Sequence, residues 1–145
     1  MSDRGRAHAL VAYDFGMEQA IRPYVAHVDD APAEAWDGIV SWRTLLSADR
    51  TPTAGMTVGL AEIPVEGTVD GATHHHVAHE AYVVLDGSGR VLLDEVWHDV
   101  EPGAVVFIPG GTAHCMENTG DAPLRLVFVL AADSFADVEY VFPST

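Results

Sequence analysis

Of the eight histidines in the chain, four crowd one short stretch, Thr73-His74-His75-His76-Val77-Ala78-His79-Glu80-Ala81-Tyr82. Imidazole nitrogen with carboxylate oxygen is the donor set that suits zinc, iron, nickel and copper, or manganese where oxygen dominates. The residues after Glu80 are β-branched and aromatic and run into Asp86-Gly87-Ser88-Gly89. That is too short and too turn-bounded for a helix, so the pattern predicts a strand. With side chains alternating, His74, His76, Glu80 and Tyr82 share one face, and His75, Val77, His79 and Ala81 share the other. Two imidazoles and a carboxylate therefore converge. A buried carboxylate without a cation loses its hydration uncompensated, and a bound divalent ion removes that penalty.

A second stretch, residues 103–118, contains a glycine turn, an apolar strand, a Pro-Gly-Gly turn and a new strand starting near His114. A histidine just past such a turn can fold back toward the first cluster. Together the two stretches resemble the two motifs of the cupin superfamily. The first motif, His-x-His, a short spacer, Glu, six residues and Gly, is met by His74, His76, Glu80 and Gly87. The second, Gly, five residues, Pro-x-Gly, two residues, His, three residues and Asn, is met by Gly103, Pro109, Gly111, His114 and Asn118. One position departs: the glycine that usually precedes the first histidine by six residues is Thr68 here, with Gly67 beside it, which reads as a shifted turn. The resemblance spans about residues 56–130. It implies an all-β, double-stranded β-helix (jelly-roll) barrel, with a divalent transition metal held by His74, His76, Glu80 and His114. Zinc or iron comes first as the metal, then manganese or nickel.

At 145 residues with 48% hydrophobic content, the chain can bury the core of one domain. The expected division is an N-terminal arm over residues 1–35 and a single barrel over 36–145. Seven basic against 22 acidic residues give a formal charge of −15, which repels nucleic acid and anionic membrane surfaces. A neutral or zwitterionic small molecule fits that charge better than a polyanion. Cys115 is the lone cysteine, so no intramolecular disulfide can form. With no apolar leader or spanning run, a cytoplasmic protein is the simplest expectation. The resemblance adds a homodimer, because such arms often pack on a second subunit.

The elements that must position these residues are short strands separated by Gly/Pro turns. They are expected at 36–46, 56–63, 90–93, 96–100, 124–131 and, as an edge, 138–142. A helical turn is expected near residues 17–20, a hairpin at Asp94-Glu95, and burial on both faces for 124–131. Residues 56–63 place Met56, Val58, Leu60 and Glu62 on one face. Trp36, Trp42 and Phe107 are assigned to the core.

Around the ligand face, Tyr82 is a proton carrier or substrate donor, or else a buried tyrosine with its hydroxyl satisfied. Met116 shares parity with His114 and is assigned to the pocket. Trp97 and His98 are candidate substrate contacts, only one of which can face inward. His75 and His79 point outward, unless a bulge re-aims one as a further ligand. Cys115 reads as a small buried hydrophobe. Arg90 and Arg125 are candidate carboxylate anchors. A divalent ion on three imidazoles and a carboxylate is a Lewis acid that polarises a carbonyl and assists proton loss from the neighbouring carbon, with Tyr82 and Glu80 as catalytic groups. The resemblance places this chain beside dimethylsulfoniopropionate lyase-like and polyketide cyclase-like barrels. The alternatives are an iron-dependent dioxygenase of a chelating phenol or ketone, and a ligand-binding barrel without turnover.

Overall fold

Two runs of alternating residues, 57–63 and 124–130, pair with each other along their full length and form the middle of the main sheet. The computed structural model describes residues 20–67 and 72–143. Within them lie nine strands: β1 (Ala33–Trp36), β2 (Val40–Leu46), β3 (Thr57–Ile63), β4 (Glu80–Asp86), β5 (Gly89–Leu93), β6 (Val96–Val100), β7 (Val105–Ile108), β8 (His114–Asn118) and β9 (Leu124–Leu130). A six-stranded sheet runs β1-β2-β3-β9-β4-β7 and a three-stranded sheet runs β6-β5-β8. All pairings are antiparallel. This is the expected all-β jelly-roll barrel. Among the described residues no helix is long and apolar enough to cross a membrane.

The core sits between the sheets. Val84, Leu124, Leu126, Phe128, Leu130 and Ile108 face Val91 and Val100 across it. Each fully buried aliphatic side chain contributes about 1.5–3 kcal/mol relative to exposure. In β3 the buried positions are Thr57, Gly59, Ala61 and Ile63, so the face carrying Val58, Leu60 and Glu62 points outward. The inward face is small because large neighbours fill the space: a Cβ on Gly59 would overlap the Phe128 ring and come within 2.6 Å of the Arg43 carbonyl oxygen.

Several elements differ from the sequence expectations. Residues 36–46 form a hairpin, because Gly38 adopts φ +74° and turns the chain between Trp36 and Val40, which pair. The main sheet's first strand thus includes Ala33–Ala35, inside the stretch expected to be arm. β9 is fully buried on one face and half-buried on the other. Residues 138–142 make no strand. A 3-10 turn at Phe135–Asp137 leads into an extended segment that meets the barrel at one bridge, Val141 to His75. Phe107 is exposed on the outer face of edge strand β7. The Asp94-Glu95 hairpin is as expected, with Asp94 at φ +56°. The helical turn at 17–20 and the shifted turn at Thr68 lie, apart from Ala20 and Gly67, outside the described residues.

Buried Asn118 ties the turn between β8 and β9 to the last residue of β3. Its amide donates to the carbonyls of Ile63 (3.0 Å) and Ala122 (2.8 Å), while its carbonyl accepts from the Gly120 N–H (2.9 Å). The asparagine that closes the second motif is therefore structural. The Gly59 contact gives a direct test of the packing: Gly59→Ala should lose about 1–3 kcal/mol of stability through overpacking, read as a lower urea midpoint at unchanged slope.

Candidate metal site

The ligand face is not one continuous strand. Regular pairing in β4 begins only at Glu80, and residues 74–79 form an irregular segment pinned by long-range hydrogen bonds. His74 and His114 exchange both backbone hydrogen bonds, at 3.1 and 2.9 Å. The Gly111 N–H donates to the His76 carbonyl (2.8 Å), and the Gly110 N–H donates to His79 Nδ1 (2.8 Å). Gly110 lies so close to the Val77 carbonyl that no side chain fits there. The Pro-Gly-Gly turn of the second motif therefore grips the histidine segment of the first.

These bonds bring His74, His76 and His114 together, with one ring nitrogen from each within 4.8 Å of the others. Each ring uses Nδ1 against a backbone carbonyl two residues away, all at 2.8 Å: His74 on Ala72, His76 on Ala78, His114 on Thr112. A carbonyl only accepts, so Nδ1 carries the hydrogen and Nε2 keeps its lone pair. Glu80 Oε2 then lies 3.0 Å from His76 Nε2 and 3.3 Å from His114 Nε2. His114 and His76 are 1% and 3% exposed, and His114 Nε2 has no hydrogen-bond partner among the described residues.

A carboxylate oxygen facing imidazole lone pairs at hydrogen-bond distance repels them unless a proton or a cation stands between. A proton can serve between His76 and Glu80, whereas His74 resists one. Burial pulls His74 below its ordinary value, with the neighbouring His114 adding to the shift. His76 is raised, chiefly by its hydrogen bond to Glu80. Burial pushes Glu80 up, but the nearby His114 and His76 rings outweigh it and hold the carboxyl below the usual range. Three neutral imidazoles and one carboxylate are the donors that a divalent transition metal takes, each ring oriented by its outer hydrogen bond. The residues present fit such an ion.

The site opens onto a cavity of about 510 Å³ whose walls are mostly aromatic and aliphatic. Tyr82 and Met116 line it, as expected from their parity. Trp97 and His98 do not. They belong to β6, the edge of the small sheet farthest from β8, where the Arg90 guanidinium lies 4.2 Å from the Trp97 ring centre and His98 is exposed. Arg90 also pairs with Glu117, and Arg125 with Asp86 (2.9 Å) and Glu62 (3.8 Å), so neither arginine enters the cavity. His75 uses its backbone to hold Val141, and His79 is exposed with its ring bonded to Gly110. Cys115 is buried and receives the Thr73 hydroxyl at 3.4 Å; burial pushes its thiol up, which keeps it protonated and unreactive.

Tyr140 was not singled out from sequence. Its ring centre lies 5.2 Å from that of His74 and 5.4 Å from that of His76, and it lines the cavity with Phe142. Burial pushes both tyrosine phenols up, well above the ordinary value for Tyr82, and the Glu80 charge adds to each shift.

The arrangement defines an antiparallel β-barrel with a buried imidazole–carboxylate pocket. The family described as "Cupin domain" matches residues 59–130. The dimethylsulfoniopropionate lyase DddW of Ruegeria pomeroyi is 33% identical over 108 residues, covering 74% of this chain and 69% of that protein. The chain belongs to the cupin superfamily. Among solved structures, the polyketide cyclase RemF of Streptomyces resistomycificus superposes with a TM-score of 0.67, at 23% identity, over 85% of this chain and 88% of that one. An RmlC-like cupin from Shewanella frigidimarina gives 0.64 at 15% identity, over 80% and 95%. These two likenesses establish the fold.

His114→Ala should reduce bound metal from about one ion per chain to near none while leaving the far-UV circular dichroism intact, read by elemental analysis. The raised His76 makes metal compete with a proton. Zinc affinity should therefore rise with pH until His76 is neutral, by about tenfold per pH unit for one proton displaced. Calorimetry in buffers of different ionisation enthalpy should show proton release on the acid side, and a flat profile between roughly pH 5 and 8 would contradict the assignment.

Proposed function

We propose that this chain is a metal-dependent enzyme of non-redox type, a lyase or cyclase that removes a proton from the carbon next to a carbonyl group. The observation that carries the reading is the gathering of the His74, His76 and His114 ring nitrogens within 4.8 Å of one another, with the Glu80 carboxylate beside His76 and His114, on an apolar cavity that Tyr82 and Tyr140 also line. His74, His76, Glu80 and His114 are the ligands. A divalent ion there supplies a Lewis acid that polarises a carbonyl and offsets the charge that develops on its oxygen. Zinc is the first choice of ion, since the chemistry needs no change of oxidation state.

The residues around that centre divide the remaining work. Apolar walls exclude water, which strengthens each electrostatic contact made inside. Tyr82, two residues past Glu80 on the same strand, is the proton carrier. Burial and the Glu80 charge hold its phenol protonated. Its task as a base therefore depends on the carboxylate's charge being compensated. Tyr140, across the histidine rings, donates to the substrate oxygen. The relatedness to a dimethylsulfoniopropionate lyase supports elimination as the reaction to assay first.

Two measurements test the reading. Chelator-treated protein should lose turnover and regain it with zinc, and full activity without metal would overturn the proposal. Tyr82→Phe should lower kcat by about 10²–10⁴-fold while metal content stays unchanged. Stoichiometric oxygen uptake by the iron-loaded protein with a phenolic ketone would instead make it a dioxygenase.

A further inference from the structure

The cavity wall carries information about the ligand that the histidines do not. Trp36, Trp42, Phe128 and Phe135 line it beyond the histidines, with Ala61 at the wall between Trp42 and Leu126, while Phe142 reaches from Trp36 to the His74 ring, 5.6 Å between centres. Among the described residues, no lysine or arginine lines it. Beyond Glu80 and His74 at the site itself, the ionisable groups in the wall are the tyrosines and Cys115, all pushed up by burial and so neutral. A carboxylate bound away from the histidines would be desolvated with no counter-charge, which is costly.

The aromatic rings do not gather around one point. They meet in pairs along the wall: Trp36 edge-on to Phe142 at 5.8 Å, Trp42 edge-on to Phe135 at 6.4 Å, and Phe128 tilted on Phe135 at 5.7 Å. Pairs spread along the wall make a slot, whereas a cage for an onium group needs several faces turned to a single centre. The volume of about 510 Å³ is in the range that buries a drug-sized ligand. A small zwitterion would leave most of the apolar wall without contact, forfeiting dispersion on every unfilled side.

We infer that the substrate is an uncharged, planar, largely apolar carbonyl compound of about two or three fused rings. Its oxygen is directed at the histidines and its body lies in the slot between the Trp42–Phe135 and Trp36–Phe142 pairs. The inference rests on the metal-site reading above only for which end of the ligand meets the histidines. Trp36 and Phe142, 41% and 46% exposed, form the rim through which such a ligand enters.

The test uses the zinc-loaded protein in a Trp97→Phe background, so that fluorescence reports from the two tryptophans that line the cavity. Hydroxyacetonaphthone, a planar two-ring hydroxyketone, should quench saturably and bind at least about tenfold tighter than dimethylsulfoniopropionate. Ala61→Phe, which fills the slot, should weaken hydroxyacetonaphthone binding by about tenfold or more at unchanged metal content. Phe142→Ala at the exposed rim should weaken it about fivefold and serves if the first variant does not fold. Equal or tighter binding of dimethylsulfoniopropionate, absence of saturable quenching, or a dissociation constant that neither variant moves would overturn the inference. Metal bound without quenching would sink the substrate class alone. Quenching in a protein that takes up no metal would sink the metal reading and leave the ligand class standing.

Discussion

The structure depends on three short hydrogen bonds, each from an imidazole Nδ1 to a backbone carbonyl two residues away. They fix the tautomer of every ring and leave the His76 and His114 lone pairs facing the Glu80 carboxylate at 3.0 and 3.3 Å, with the His74 ring nitrogen beside them. Set among buried apolar groups, that is an arrangement of repelling partners, tolerable only because the sheets around it cannot relax. The barrel supplies the rigidity. The six-stranded sheet holds Glu80 through pairings to Ile108 on one side and Leu130 on the other, both fully buried. The small sheet holds His114 opposite Leu93.

Between those two anchors, His74 and His76 are positioned by the other motif more than by their own strand. The Pro-Gly-Gly turn donates to His76 and His79, and the β8 backbone pairs with His74. Gly110 is required because Val77 approaches it closely, and Gly111 adopts φ +84°, a conformation that disfavours side chains. The chemistry of one stretch thus rests on the conformational freedom of two glycines more than thirty residues away. The extended C-terminal segment completes the enclosure, placing Tyr140 against two of the histidine rings through a single backbone bridge at Val141.

Much of this was legible in the sequence. Alternation marked most strands, and residue type with spacing marked His74, His76 and His114, whose ring nitrogens lie within 4.8 Å of one another, and Glu80, which stands beside two of them. What failed did so for identifiable reasons. Parity gives faces but cannot tell an edge strand from a central one, so Trp97 and His98 were drawn toward a cavity that β6 does not border. The interruption at Val77 and Ala78 is invisible locally, because its cause is contact with Gly110. Alternation in β3 defined two faces without saying which was inner; Phe128, opposite Gly59, settles that from another strand. Tyr140 follows a turn and carries no periodic signal, so nothing distinguished it from an edge residue.

The pairing of Thr57 with Leu130 and of Ile63 with Leu124 also bears on how the molecule comes into being. The middle of the main sheet joins segments far apart in the chain, so a large loop must close before the pairing returns any energy. His74 and His114 are held in register by strands that depend on that closure. During synthesis the centre of the barrel therefore forms only after β9 has left the ribosome. An ion that binds only the completed site acts as a late clasp, slowing reopening without guiding the search that preceded it.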